Sequence, residues 1–230
     1  MSLILNIDAS AEHASVCLSQ NRELMQIVNS KEQKEHASFI QPAIHKIFQT
    51  QKIEAKDLLA VAVTAGPGSY TGLRVGMATA KGLCYALNIP LITIGTLEVI
   101  TVAAFEKIKS TGGLVNDDDL FCPMIDARRQ EVFTALLNKS LKYILNPSAI
   151  ILAANTFIGQ LNGCKIFFYG NGSSKFNAIC HHKNAQFIEA GFDASHMISL
   201  SHQRFSEKIF ANLAYTEPYY GKEFQSNAKI

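Results

Sequence analysis

Runs and alternations of apolar residues along the chain predict a succession of short strands and amphipathic helices. Residues 3–7 form an apolar strand that ends on Asp8-Ala9-Ser10. Residues 15–19 and 23–28 alternate as two further strands, with Asn21 in the turn between them. Residues 32–49 follow as a helix, on which Phe39, Ile40, Ala43, Ile44, Ile47 and Phe48 make a wide apolar stripe. Pro42 inside it removes one backbone bond and predicts a bend. The run 58–63 is a strand covered on both sides. Gly66-Pro67-Gly68-Ser69 stops it, and Ser69 or Thr71 caps a helix over 71–87. On that helix Gly68, Gly72, Gly76 and Ala80 recur every four residues and share one face. Such a stretch either cradles an anion or lets another backbone pack closely.

The pattern continues with a strand at 89–94, a helix at 97–109, a polar turn at 116–119 and a strand at 120–125. Beyond it the signals are weaker. They predict a strand and turn over 143–152, a short helix at 155–161, and a strand at 165–169 leading into Gly170-Asn171-Gly172-Ser173-Ser174. A short strand at 186–188 and a helix at 205–215 follow, the helix presenting Phe205, Ile209, Phe210 and Leu213 on one face; the last ten residues read as loose. Ile7-Asp8-Ala9 and Ile125-Asp126-Ala127 repeat one arrangement, an apolar strand closed by an aspartate. That predicts two α/β halves of related topology, taken as domains 1–106 and 107–230.

Composition narrows the class. The chain has 230 residues, 48% hydrophobic and 17% charged, enough for a globular protein with a large core. A net charge of +2 lacks the broad basic footprint of a nucleic-acid binder. Cysteines 17, 84, 122, 164 and 180 form no CxxC pair and suit a reducing compartment. The start lacks the basic residues of a signal peptide. The apolar segment 89–105 is broken by Pro90, Gly95 and Glu98, so no membrane span and a cytoplasmic location are expected.

Candidate chemistry is sparse. The glycine stretch is not a P-loop, because Leu73 follows Gly72 where a phosphate-binding lysine would stand. Nor does it complete Gly-x-Gly-x-x-Gly. Helix amides still attract anions, so Asp8, Gly68, Ser69 and Arg74 are the candidate anion or nucleotide contacts. Asp8 and Asp126 could hold Mg²⁺ with a nucleotide, as in an ATP-dependent phosphotransferase, or each could cap a turn. His36 and His45 lie nine apart and read as the polar edge of a helix; Asp117, Asp118 and Asp119 read as a solvated loop. His181, His182, His196 and His202 have no ligand spacing. No metal site and no nucleophile elbow is expected.

Several stretches together resemble one family. Ile7-Asp8, Glu35-His36, Gly66-Pro-Gly-Ser-Tyr-Thr-Gly-Leu-Arg74-Val-Gly76, Ala80-Lys-Gly82, Ile125-Asp-Ala-Arg128, Glu131-Val and the terminal Glu217-Pro218-Tyr219-Tyr220 are similar to the TsaB (YeaZ) family of bacterial tRNA threonylcarbamoyladenosine biosynthesis proteins. The resemblance covers residues 1–137 strongly. It departs from the family in Tyr70, where phenylalanine is commoner, and in Gly221-Lys222 after the terminal motif. It implies an actin-like, Hsp70-like (ASKHA) fold of two related domains, and a non-catalytic partner of TsaD-like threonylcarbamoyltransferases. Those enzymes carry a metal-binding His-x3-His after the glycine motif; here 71–87 has no histidine.

The resemblance further implies a homodimer when alone, a TsaE-like ATPase as third member, tRNA reached indirectly, and no cofactor beyond a nucleotide at the interface of the complex. The partner surface would be built by helices 32–49 and 71–87, through His36, Phe39, Ile40, Ala43, Ile47, Gly72, Leu73, Gly76, Met77 and Ala80. On that view Gly76→Leu breaks the complex and spares the fold.

Overall fold

The computed structural model describes residues 2–32 and 35–221. The chain divides into two compact units. One runs to Gly113 and resumes over Ala190–Tyr219; the other spans Leu114–Glu189 and takes up the chain again at Tyr220.

The first unit is built on a five-stranded sheet of β1 (Leu3–Asp8), β2 (Ser15–Gln20), β3 (Glu23–Asn29), β4 (Ala60–Gly66) and β5 (Leu91–Gly95), in the order β3-β2-β1-β4-β5. β1 to β3 form the expected antiparallel meander, and β4 and β5 run parallel to β1. Alternation decides which helix each face meets. Leu3, Leu5, Ile7, Val61 and Val63 share a buried cluster with Ile40, Ala43 and Ile47 of α1 (His36–Gln51) and Met77 and Ala80 of α2 (Tyr70–Leu87). Fully burying each leucine, isoleucine, valine or methionine among them contributes roughly 1.5–3 kcal/mol. α1 runs through Pro42; the first residues of the expected 32–49 helix include 33 and 34, outside the described residues. α3 (Thr96–Ser110) follows β5 directly, with Glu98 accepting from the Gly95 N–H at 2.9 Å as a cap.

The second unit repeats the plan. β6 (Leu120–Asp126), β7 (Glu131–Leu137), β8 (Tyr143–Ile151), β9 (Ile166–Tyr169) and β10 (Ala185–Ile188) are ordered β10-β9-β6-β7-β8. Again the first strand is central, flanked by an antiparallel meander on one side and two parallel strands on the other. Asp8 and Asp126 each close the first strand of their sheet, as the repeat predicts. The helices are short, α4 (Ile158–Gly163) and α5 (Ser173–Asn177), and the core is aromatic: Phe157, Phe168, Phe176 and Phe187 meet at centroid distances of 4.9 to 6.2 Å.

The chain after Glu189 departs from expectation by returning to the first unit, so the expected second domain, 107–230, loses the segment 190–219. The return is held by specific bonds. The Ala194 N–H donates to Ser15 Oγ at 2.8 Å and the Cys17 thiol donates to Ala194 O. Arg204 on α6 (Ile198–Ser206) donates to Thr93 O and, at 2.6 Å, to Glu98 Oε1. The helix expected over 205–215 does not form. α6 stops at Ser206, Lys208 takes a left-handed φ of 57°, and the Ala211 N–H donates to Leu91 O at 2.8 Å as the chain runs beside β5. The loose end expected at 221–230 lies, after Gly221, outside the described residues. No helix among the described residues is long and apolar enough to cross a membrane.

One contact of the return is pH-sensitive. Asp193 caps the turn Ala194–Met197, accepting from the Ser195 N–H at 2.9 Å, and its Oδ1 lies 3.2 Å from His196 Nδ1; Glu106 lies 3.6 Å from Nε2. Burial pushes Asp193 up, but the His196 and Ser195 bonds outweigh it and hold the carboxyl down at about 2. Burial pulls His196 down, and Asp193 and Glu106 outweigh it and raise its pKa above 6.5. The Asp193 contribution is therefore full above its unfolded value of 3.8 and is lost as pH falls toward 2. The His196 contribution is full below 6.5 and is lost as pH rises beyond that. Thermal unfolding across pH should give a maximum between these limits; His196→Ala should abolish the alkaline arm and, because His196 also helps to hold Asp193 down, make the acid arm shallower.

Candidate functional site

The stretch 64–82 runs from the end of β4 into α2, and its first three glycines, Gly66, Gly68 and Gly72, face the chain's own backbone. Ser69 caps α2, its Oγ accepting from the Gly72 N–H at 3.3 Å. The Ser69 N–H itself donates to Ser10 O at 2.8 Å. A Cβ at Gly68 would lie 2.3 Å from Ser10 O, and one at Gly72 would lie 2.0 Å from Ala9 O and 3.0 Å from the His36 ring. At Gly76 it would meet Ala9, Val63 and Ile7 side chains at 3.3, 3.5 and 3.8 Å. The small-residue face is thus a seat for β1, its following turn and β4. His36 belongs to the same seat: it is buried, and its Nε2 donates to Ala11 O at 2.8 Å.

Asp8 lies beneath this loop. It is buried, and its Oδ1 accepts from the Ser10 N–H (3.0 Å), Ser10 Oγ (2.7 Å) and Thr64 Oγ1 (2.9 Å). Burial raises its pKa, although those three bonds pull the other way. The underside of the glycine turn is therefore lined by the Ala9 and Ser10 carbonyls and this carboxyl, a surface that opposes an anion. Arg74 is exposed on the opposite side, stacked over the Tyr70 ring at 4.1 Å. Asp8 and Arg74, both candidate anion contacts, thus stand on different sides of the turn.

Of the ten expected partner-interface residues, all but half-buried Phe39 are buried in the first unit. Buried side chains cannot be the contact itself; they hold α1 and α2 to the sheet. The two helices present other residues outward: Gln41, His45 and Lys46 on α1, and Thr71, Arg74, Ala78, Gly82 and Tyr85 on α2. Tyr85 is 82% exposed, and nothing lies within 4 Å of where a Gly82 Cβ would be. The α2 helix therefore has two small faces, one used internally and one open.

The terminal motif bears on the same turn. The Tyr219 N–H donates to Ala65 O at 2.7 Å, and only a glycine at 66, with φ 107°, leaves room for Tyr219 O. Lys81 on α2 donates to Thr216 O at 3.1 Å. The motif Glu217-Pro218-Tyr219-Tyr220 thus supplies the backbone neighbour of Gly66, and that glycine is the sequence signal for it.

In the second unit Asp126 accepts from Lys175 Nζ and the Arg128 N–H, both at 2.6 Å, and its own N–H donates to Asn171. Burial pushes its carboxyl up, but Lys175 and Arg128 outweigh this and lower its pKa. It anchors the glycine turn at 170–174. Burial pushes the thiols of Cys84 and Cys122 up to about 11 and 12, so neither is a nucleophile near neutral pH. Among the described residues no three His, Cys, Asp or Glu side chains are placed to hold a metal ion.

The family model for tRNA N6-adenosine threonylcarbamoyltransferase, TsaD, matches residues 17–220. The tRNA threonylcarbamoyladenosine biosynthesis protein TsaB of Haemophilus influenzae is 27% identical over 227 residues, 94% of this chain and 92% of that one. The TsaB of Buchnera aphidicola subsp. Schizaphis graminum is 36% identical over 113 residues, 49% of this chain and 53% of its own length. The match thus spans less than two thirds of that and other curated relatives, at 63% and 62% for two more. The fold of YeaZ from Pseudomonas aeruginosa superimposes with a TM-score of 0.78 at 20% identity, over 96% of this chain and all of that one. That likeness is one of fold, the two-sheet ASKHA plan described above.

Proposed function

The chain belongs to the TsaD family and groups with its TsaB (YeaZ) members, and on that premise we propose that it is a non-catalytic subunit supporting formation of N6-threonylcarbamoyladenosine beside the anticodon of tRNA. It acts through a TsaD-type transferase, with a TsaE-type ATPase as third member and a second copy of itself as the alternative occupant of the same surface. tRNA is engaged through the transferase, and any nucleotide is held where the subunits meet.

One observation carries this reading. The outer face of α2 is open and built of small residues, Thr71, Ala78 and Gly82, edged by Tyr85, and the helix carries no histidine. Small residues allow a partner helix to approach closely, and a large exposed aromatic is the kind of anchor that dominates binding energy. Native mass spectrometry of the chain with a TsaD-type transferase should give a defined complex; no complex would remove the reading.

A second reading, an ATP-dependent phosphotransferase, is favoured by the matched positions of Asp8 and Asp126 at the ends of equivalent strands. Asp8→Asn separates the two. The three bonds to Asp8 all fall on one oxygen that asparagine keeps. Its raised pKa means that the carboxyl favours folding most below its unfolded value of 3.8 and costs stability as pH rises through the folded value. At pH 7 the variant should be no less stable than the parent and should support tRNA modification within about twofold, well under the tenfold that 1.4 kcal/mol represents. Loss of an ATP turnover present in the parent would establish the phosphotransferase instead.

A further inference from the structure

A cavity of about 490 Å³ opens in the first unit, away from the glycine turn, between the β2–β3 turn, the start of the chain and α6. Ser2, Asn21, Arg22, His202 and Ser206 supply its polar lining, and Phe205 and Leu59 supply apolar surface. None of these is a carboxylate. Arg22 has no ion-pair partner among the described residues and is exposed.

The bonding of His202 fixes what it presents. The imidazole is buried at 4% exposure, with Nε2 3.0 Å from Ser19 Oγ and Nδ1 3.1 Å from Ser2 Oγ. Ser19 Oγ donates to Ile4 O, so it accepts from Nε2–H and from Asn6 Nδ2. Nδ1 is then the acceptor and the Ser2 hydroxyl the donor. His202 is neutral in this arrangement; burial, and then the charge of Arg22, hold its pKa below 6.5. A permanent cation thus stands beside a neutral ring, with no negative charge lining the cavity.

Arg22 also occupies an unfavourable place. Asn21-Arg22 is a two-residue hairpin turn with φ 52° and 73°, a type I′ geometry whose second position is ordinarily glycine. The residue that would relieve the backbone is absent, and the one present delivers a guanidinium to the cavity.

We propose that this cavity binds a phosphomonoester carrying a flat ring system, such as a nucleoside monophosphate, with the Arg22 guanidinium and the Asn21 side-chain NH₂ at the phosphate and Phe205 and Leu59 against the ring; Ser2 is spent on its bonds to His202 and Asn21 Oδ1. Guanidinium is the side chain suited to a two-pronged phosphate contact. The cavity lies within the size range of small-ligand sites. The inference is independent of the partner surface on α2.

The test titrates the full chain with AMP, adenosine and inorganic phosphate, by calorimetry and by the ring resonances of His202. AMP should bind and move the His202 resonances, and adenosine and phosphate should each bind at least about tenfold more weakly. Arg22→Gly should weaken AMP by about tenfold or more while melting at the same or a higher temperature, because glycine is the residue this turn prefers. Failure of AMP to move His202, equal binding by Arg22→Gly, or phosphate binding as tightly as AMP would each overturn the proposal.

Discussion

Gly72→Leu is expected to destabilise the first unit severely. The added Cβ alone would lie 2.0 Å from Ala9 O, closer than any real contact, and 3.0 Å from the His36 ring. The carbonyl cannot retreat. The Ser10 N–H that follows it donates to Asp8, Ser10 O accepts from the Ser69 N–H, and Asp8 is itself bonded to Thr64 in β4. α2 would have to lift from the sheet, uncovering Leu73, Met77 and Ala80. Overpacking ordinarily costs about 1–3 kcal/mol and a blocked backbone more. A loss of roughly 4 kcal/mol or more, set against a total stability of about 5–15 kcal/mol, removes a quarter to most of that stability and should move the urea midpoint down sharply. Gly76→Leu meets side chains at 3.3 to 3.8 Å and should cost about 1–3 kcal/mol. Urea midpoints check both: a Gly72→Leu protein as stable as the parent would refute the packing account.

Gly82→Arg is the counterpart on the open face, and its expected effect on assembly is the largest of any surface change. Nothing lies near the missing Cβ, so the fold should tolerate the side chain. Replacing a helical glycine should even add roughly 0.5–1 kcal/mol of stability. A partner helix that packs on Ala78 and Gly82 would meet a bulky, charged group in its contact surface. Affinity for the transferase should fall by about a hundredfold or more, equivalent to roughly 3 kcal/mol. Tyr85→Ala should lose less, about 2 kcal/mol, as a single aromatic anchor.

The contrast between these two glycines marks what the sequence can carry. The four-residue spacing correctly puts Gly72, Gly76 and Ala80 on one face, because periodicity is a property of the helix itself, but Gly68 lies in the turn before the helix begins and shares no face with them. It is silent on which neighbour fills that face, and α2 is small on both sides: Gly72, Gly76 and Ala80 inward, Ala78 and Gly82 outward. The apolar stripe of α1 was legible for the same reason, and it too turned out to face its own sheet. The repeat at Asp8 and Asp126 was legible because each aspartate ends an apolar run, and it gave the duplicated topology.

The return of the chain over 190–219 was not legible. α6 buries Ile198 and Leu200 together with Ser201 and His202, so half of its inner face is polar and the periodic signal is lost. His202 is paid for by bonds from β2 and the start of the chain, partners that no local window contains. The segment 205–215 misled in the opposite sense. Phe205, Ile209 and Phe210 have helical spacing, yet Ile209 is 55% and Phe210 42% exposed, and the backbone is taken by Leu91 instead.

The central claim is that this chain supports tRNA modification through the outer face of α2 and supplies no catalytic group of its own. The most direct measurement is the yield of N6-threonylcarbamoyladenosine on tRNA from a purified TsaD-type transferase and TsaE-type ATPase, alone, with the parent chain, with Asp8→Asn and with Gly82→Arg. The account predicts modification with the parent and with Asp8→Asn, and none above background with Gly82→Arg or with the chain left out. Full modification with Gly82→Arg, or its loss with a stably folded Asp8→Asn, would contradict it.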